Sequence, residues 1–173
     1  MPLNATSAVI LGLLHDGAAT GGDIVTAARR RLGAQNGVTR SQVFRELPSM
    51  MDGGLIQAET AGPGQRASQS YGVTAAGREA FSGWATAPCG PDTVRSGVVL
   101  RLGFGAHLWP AQRKAILASA LIAHESALAE HEQLAHDLRG EGDAYAALAA
   151  DFAVAYERAF LGWLRGAPEL GVT

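Results

Sequence analysis

At Gly53-Gly54 the apolar pattern of the chain changes period, and no other feature limits the fold as much. Upstream, three segments repeat their apolar residues at helical spacing. Residues 6–15 set Val9, Ile10, Leu13 and Leu14 on one face before the turn signal Asp16-Gly17. Thr20, with Asp23 three positions on, offers a capping oxygen to a second segment in which Ile24, Ala27, Ala28 and Leu32 recur until Gly33. Thr39 and Gln42 repeat that capping pattern ahead of Val43, Leu47 and Met50, and Gly53-Gly54 supplies the left-handed stop. Downstream the spacing is that of strands. Residues 55–60 and the alternation of Tyr71 and Val73 predict a β-hairpin whose long tip contains Gly62-Pro63-Gly64. Thr74 then caps a fourth helix with Ala76, Ala80, Phe81 and Trp84 roughly along one side.

The breaker-rich stretch Pro88-Cys89-Gly90-Pro91 predicts a boundary, with domains at 1–87 and 92–173. Beyond it every segment is helical. Asp92 or Thr93 can cap a helix reaching Phe104, Pro110 suits the first turn of a long helix to Arg139, and residues 140–142 separate that helix from a last one over 143–165. In the long helix Leu117, Leu121, His124, Leu128, His131, Ala135 and Leu138 form a heptad-like seam. The last helix is expected to answer it with Tyr145, Leu148, Phe152, Tyr156, Ala159 and Trp163. Two helices alone make a narrow core, so burial against a second subunit is expected. Leu117, Leu121, Leu128, Leu138, Phe152, Tyr156 and Trp163 are the expected dimerisation residues.

The 173 residues are 47% hydrophobic and 17% charged, ample for a core. Formal net charge is -2, so attraction to a polyanion has to be local. Residues 1–85 carry 7 basic and 6 acidic side chains, a balance of +1, against 7 and 10, or -3, in the remainder. Lys114 is the single lysine among 14 basic residues, and arginine is the side chain suited to bidentate contacts with phosphate and guanine. The lone Cys89 forms no intramolecular disulfide, and the sequence supplies no thiolate metal site. With no basic leader and no apolar run beyond residues 8–14, a cytoplasmic protein without a membrane segment is expected. No phosphate-binding glycine loop, nucleophile elbow or zincin motif is present, and neither enzymatic activity nor a cofactor is expected.

Three helices followed by a two-stranded hairpin is the order of a winged helix-turn-helix, whose third helix enters the major groove. The expected fold is therefore mainly α: a winged helix-turn-helix of three helices, β-hairpin wing and fourth helix, then a helical dimerisation region. On the third helix Val43, Leu47, Met50 and Met51 face inward, leaving Ser41, Arg45, Pro48, Ser49 and Asp52 outward, with Gln42 and Phe44 at the edges. Thr39, Arg40, Ser41, Gln42 and Arg45 stand nearest the end that reads base edges. Arg66 at the hairpin tip can pair with a phosphate or enter the minor groove. Arg29, Arg30 and Arg31 suit either phosphate or the negative end of their own helix. Pro48, nine positions into the third helix, is expected to kink it. His124 and His131 are too far apart on one helix to chelate a metal together. Phe81, Trp84, Phe104 and Trp109 cluster in sequence around the linker, where they either line a site for a small apolar or aromatic effector or merely pack the domain junction.

Ile10-Leu11-Gly12-Leu13-Leu14, Gly21, Val43-Phe44-Arg45-Glu46-Leu47, Gly54-Leu55-Ile56 and Tyr71-Gly72-Val73-Thr74-Ala75-Ala76-Gly77-Arg78 together resemble the PadR family of transcriptional regulators. The resemblance covers residues 5–85, and residues 92–165 resemble, less closely, the helical dimerisation part of the longer PadR subfamily. It implies a homodimeric repressor that binds a palindromic double-stranded operator and releases it to a small effector. It also brings Phe44 among the expected DNA-binding residues. The chain departs from the family pattern at Gly22, Phe44, Pro48 and Gln69-Ser70. The alternative function is a winged-helix protein-interaction module that does not bind DNA, and a stand-alone ligand-binding protein is a third reading.

Overall fold

The computed structural model describes residues 3–17, 19–59, 69–91 and 94–167, apart from the side chains of 34–36. The chain divides into two compact units, Met1–Cys89 and Gly90–Thr173.

In the first unit α1 spans Ala5–Leu14, β1 Ala19–Thr20, α2 Gly21–Asn36, α3 Arg40–Asp52, β2 Ile56–Glu59, β3 Ser70–Val73 and α4 Ala75–Ala85. Four of these helices begin on a side-chain cap. Asn4 accepts from the Ser7 amide, Thr20 and Asp23 form a reciprocal box, as do Thr39 and Gln42, and Thr74 accepts from the Gly77 amide. Each cap satisfies amides that the helix itself cannot, which fixes where the helix starts. Gly33 sits at φ 71°, ψ -178°, outside helical dihedrals, so the regular part of α2 stops where the glycine predicted it. Pro48 lies exposed inside α3, which continues past it to Asp52 as one assigned helix.

The sheet has three strands where a two-stranded hairpin was expected, in the order β1-β3-β2. The hairpin pairs Ile56 with Val73 and Glu59 with Ser70, and β1 adds to the far side of β3 through Ala19 and Tyr71. A two-residue strand carries no periodicity, so only pairing could reveal it. Ile10, Leu11, Leu14, Ile24, Ala28, Val43, Leu47, Met50 and Ile56 form the core of the unit. On α1 Ala8, Ile10, Leu11 and Leu14 are buried, while Val9 and Leu13 are only partly covered.

In the second unit α5 spans Gly97–Gly103 and is capped by Ser96, later than the expected start, and a 3-10 turn follows at Gly105–His107. Asp92 and Thr93 lie outside the described residues. The Arg113 guanidinium ties that turn to the long helix by donating to the carbonyls of Gly105 (3.0 Å) and Leu108 (2.6 Å). Helix α6, Pro110–Gly140, and α7, Ala144–Gly166, form the helical hairpin.

The hairpin core corrects the expected pairing of faces. The α7 side chains turned inward are Ala146, Ala147, Ala150, Ala153, Val154, Glu157, Leu161 and Leu164. Tyr145, Leu148, Phe152 and Trp163 are exposed instead, at 82%, 67%, 55% and 43%. Alanines let two helices approach closely, and the larger side chains are left on the open face. Leu138 is buried within the hairpin, and Leu117, Leu121 and Leu128 pack against Ala120, Leu161 and Leu164. These leucines are therefore committed, wholly or in part, to the chain's own core.

His124 and Glu157 hold the middle of the hairpin, with Nδ1 and Oε2 2.5 Å apart, and the imidazole packs tilted against Phe160 at 4.2 Å between centroids. Exposed pairs line its edges: Arg158 donates to Glu132, Arg165 to Glu125 and Arg139 to Asp151. Exposed pairs of this kind contribute about 0–1 kcal/mol each.

Candidate nucleic-acid interface

The capping box of α3 commits two of the expected reading residues to each other. Gln42 Oε1 accepts from the Thr39 amide and the Thr39 hydroxyl, both at 2.8 Å, and Thr39 Oγ1 accepts from the Gln42 amide at 3.3 Å. The Gln42 side chain keeps its amide hydrogens as the donors for an outside partner. Val43, Leu47 and Met50 are buried on the opposite side, so Arg40, Ser41, Phe44, Arg45, Pro48 and Ser49 all project to solvent.

A chain of contacts orders the exposed face. A Cβ on Gly21 would stand 2.9 Å from Phe44 Cζ, so the missing side chain of Gly21 is what lets the ring lie against α2. Phe44 nonetheless remains 46% exposed. The Arg40 guanidinium sits over that ring at 4.9 Å from its centroid, a cation–π contact that orients the arginine at the leading end of the helix. Arg45 projects from the following turn. Arg40, Ser41 and Arg45 thus form a compact donor face on an element whose far side is locked into the core.

Glu46, beside Arg45, is turned toward α1. Its Oε2 accepts from Asn4 Nδ2 at 3.0 Å and from Ser7 Oγ at 2.9 Å. The bonds from Asn4 and Ser7 hold the Glu46 carboxyl below the usual carboxylate range. The Asp23 carboxyl is likewise lowered, by the side-chain and backbone bonds of Thr20. Asn4 and Ser7 were missed from the sequence. The Asn-x-x-Ser spacing signals the cap, but nothing local signals a partner 39 or 42 positions away.

Arg66, expected at the wing tip, lies outside the described residues. Arg31 is paired with Asp16 at 2.7 Å, tying the end of α2 to the turn after α1. Arg29 and Arg30 are exposed.

The first unit also carries an apolar groove of 410 Å³ between α1, α2 and α4. Val9, Gly12, Leu13, Leu32, Phe81 and Trp84 line it, with His15, Asp16 and Arg31 among the polar residues. Phe81 packs tilted against both His15 (4.8 Å between centroids) and Trp84 (5.9 Å). His15 Nδ1 lies 2.7 Å from the Leu11 carbonyl and donates to it. Of the four rings expected at an effector site, the structure places Phe81 and Trp84 together in this groove. Phe104 and Trp109 belong to the second unit, where they are 67% and 76% exposed. Among the described residues no group of acidic, histidine or cysteine side chains could hold a metal ion, and no helix is long and apolar enough to cross a membrane.

No family model matches the chain, and no curated protein matches it. Solved structures do. Bacillus subtilis PadR in complex with operator DNA is similar with a TM-score of 0.84 at 23% identity, covering 96% of this chain and 97% of that one. The PadR-like transcriptional regulator BC1756 from Bacillus cereus matches with a TM-score of 0.78 at 20% identity, covering 94% of each chain. Bacillus subtilis PadR in complex with p-coumaric acid matches with a TM-score of 0.73 at 22% identity, covering 96% of this chain and 95% of that one. The chain therefore has the fold of these regulators: a winged helix-turn-helix followed by a helical C-terminal region.

Proposed function

We propose that this chain is a PadR-type transcriptional regulator, a homodimeric repressor that reads a palindromic double-stranded operator through α3. The observation that carries the reading is the donor face of α3. Arg40, Ser41 and Arg45 point outward from the third helix of a winged helix-turn-helix, the element that enters the major groove in this fold. Arginine can pair with guanine through two bonds, and Ser41 and the Gln42 amide supply further contacts. Arg66 adds a phosphate or minor-groove contact from the wing, and Thr39 supports the helix end. The fold shared with an operator-bound protein supports the same placement of α3.

Two subunits are joined by the open face of α7, where Phe152, Tyr156 and Trp163 stand beside Tyr145 and Leu148. A contiguous exposed apolar face of this kind is characteristic of an interface. A small aromatic effector binds against Phe81 and Trp84 in the groove of the first unit. The relative solved with p-coumaric acid supports a ligand of that class. Binding regulates only if the ligand prefers one arrangement of the two winged helices over the other. The reading needs no catalytic residue and no cofactor.

The test is selection of genomic fragments by the purified chain, followed by mobility-shift titration at several salt concentrations. A regulator enriches a palindromic sequence and binds duplex DNA with a steep negative salt slope, because phosphate contacts release counterions. A protein-interaction module enriches none and shows no such slope. Fluorescence of single-tryptophan variants retaining Trp84 or Trp109, read during titration with aromatic acids, tests the effector site alongside operator release.

A further inference from the structure

We propose that Glu46 is a positioning residue for base readout: anchored by Asn4 and Ser7 at the start of α1, it fixes the rotation of α3 and so the aim of Arg45. The inference rests on the DNA-binding reading above and adds to it the device that aims the helix.

Ile10, Leu11 and Leu14 of α1 otherwise share one buried cluster with Val43, Leu47 and Met50 of α3. Apolar contacts are non-directional, so the core fixes which face of α3 is buried but sets its rotation less sharply than a hydrogen bond does. The Glu46 carboxylate supplies that directional restraint. It accepts two bonds, from Asn4 Nδ2 (3.0 Å) and Ser7 Oγ (2.9 Å), and both donors are themselves fixed by the cap of α1. Asn4 Oδ1 accepts from the Ser7 amide at 2.9 Å, and Ser7 is only 5% exposed. One asparagine therefore spends its oxygen on the helix end and its nitrogen on α3. The charge also suits the site, since a carboxylate is favoured near the positive end of a helix. Its lowered pKa fits a carboxylate held ionised by these donors. Glu46 and Arg45 are consecutive on α3, so a roll of the helix about its axis moves Arg45 through the same angle.

The experiment uses Glu46→Ala, Glu46→Gln and Ser7→Ala in the full chain. Residual dipolar couplings read the angle between α1 and α3 without DNA, and mobility shifts compare the selected operator with random duplex. In Glu46→Ala the couplings should report a rotated α3 and operator affinity should fall about tenfold, the scale of losing a bond to a charged group. Random-duplex affinity should stay within about twofold, because phosphate contacts carry it. Glu46→Gln, which retains an acceptor oxygen, should recover most of the loss, and Ser7→Ala should reproduce part of it with the fold intact. Unchanged couplings in Glu46→Ala, or operator and random-duplex affinities falling equally, overturn the proposal. If wild type selects no operator, the DNA-binding reading fails and the proposed role in base readout falls with it, while the couplings still decide whether Glu46 sets the angle of α3. Should Glu46→Ala fail to fold, Ser7→Ala and Glu46→Gln decide by the same two readouts.

Discussion

Gly77 and Leu55 lie so close that a Cβ on Gly77 would stand 2.1 Å from the Leu55 carbonyl oxygen, and 2.9 Å from Val73 Cγ2. The glycine is required because Thr74 draws α4 down onto the sheet. Its hydroxyl lies 2.7 Å from the Gly54 carbonyl and also accepts from the Gly77 amide at 3.0 Å. The obstacle is backbone and cannot swing aside. Gly77→Ala should therefore destabilise the first unit by about 3 kcal/mol, the upper range for overpacking. Thermal denaturation measures it, and a loss below about 1 kcal/mol contradicts this packing.

Arg45→Ala should leave the fold unchanged, since the side chain is exposed and the core of α3 lies opposite. Operator affinity should drop by about 1–3 kcal/mol, the scale of one direct base contact. Circular dichroism checks the fold and a mobility-shift titration the affinity. Unchanged affinity removes Arg45 from the reading face.

Phe152→Glu on the open face of α7 should convert a dimer to a monomer of 17.9 kDa without unfolding the hairpin, because Phe152 is 55% exposed within the chain. A buried charge in the new interface is strongly unfavourable. Sedimentation at low micromolar concentration decides it. A monomeric wild type contradicts the dimer, and a variant that remains dimeric moves the interface elsewhere.

Replacing His124 by alanine should destabilise the α6–α7 hairpin by about 1–2 kcal/mol, since the buried Glu157 carboxylate, 2% exposed, then loses one of its partners, at 2.5 Å. His124→Ala combined with Glu157→Ala should cost less than the sum of the two single changes, because the two side chains act as a pair. Additive losses in chemical denaturation would show that each acts alone.

Glu46 should make stability depend on acid. Its folded pKa lies below the ordinary 4.5, so its contribution is complete above that value and is lost as pH falls through the lower folded value. Glu46→Gln should flatten that part of the profile. Asp23 is lowered for a similar reason, so part of the acid loss should remain in the variant. A profile identical to wild type shows that the carboxylate gains nothing from Asn4 and Ser7.

Much of the first unit could be read directly from the residues, because its determinants are local. Capping pairs such as Thr20 with Asp23 and Thr39 with Gln42 act across one helical turn, and the change of period at Gly53-Gly54 needs only neighbouring residues. The outward set on α3 followed from the helical wheel once Val43, Leu47 and Met50 were assigned to the core. Sequence alone thus determined the order of the helices and of the two hairpin strands, the inward and outward sides of α3, and the fold class. Tertiary structure decided what depends on distant partners. It supplied the third strand through Ala19 and Tyr71, joined Glu46 to Asn4 and Ser7, and opened a groove beside Phe81 and Trp84. It also chose the inward face of α7. A helix with alanines on one side and aromatics on another satisfies a helical period either way. The close approach of α6 selected the alanines and left Tyr145, Phe152 and Trp163 outside.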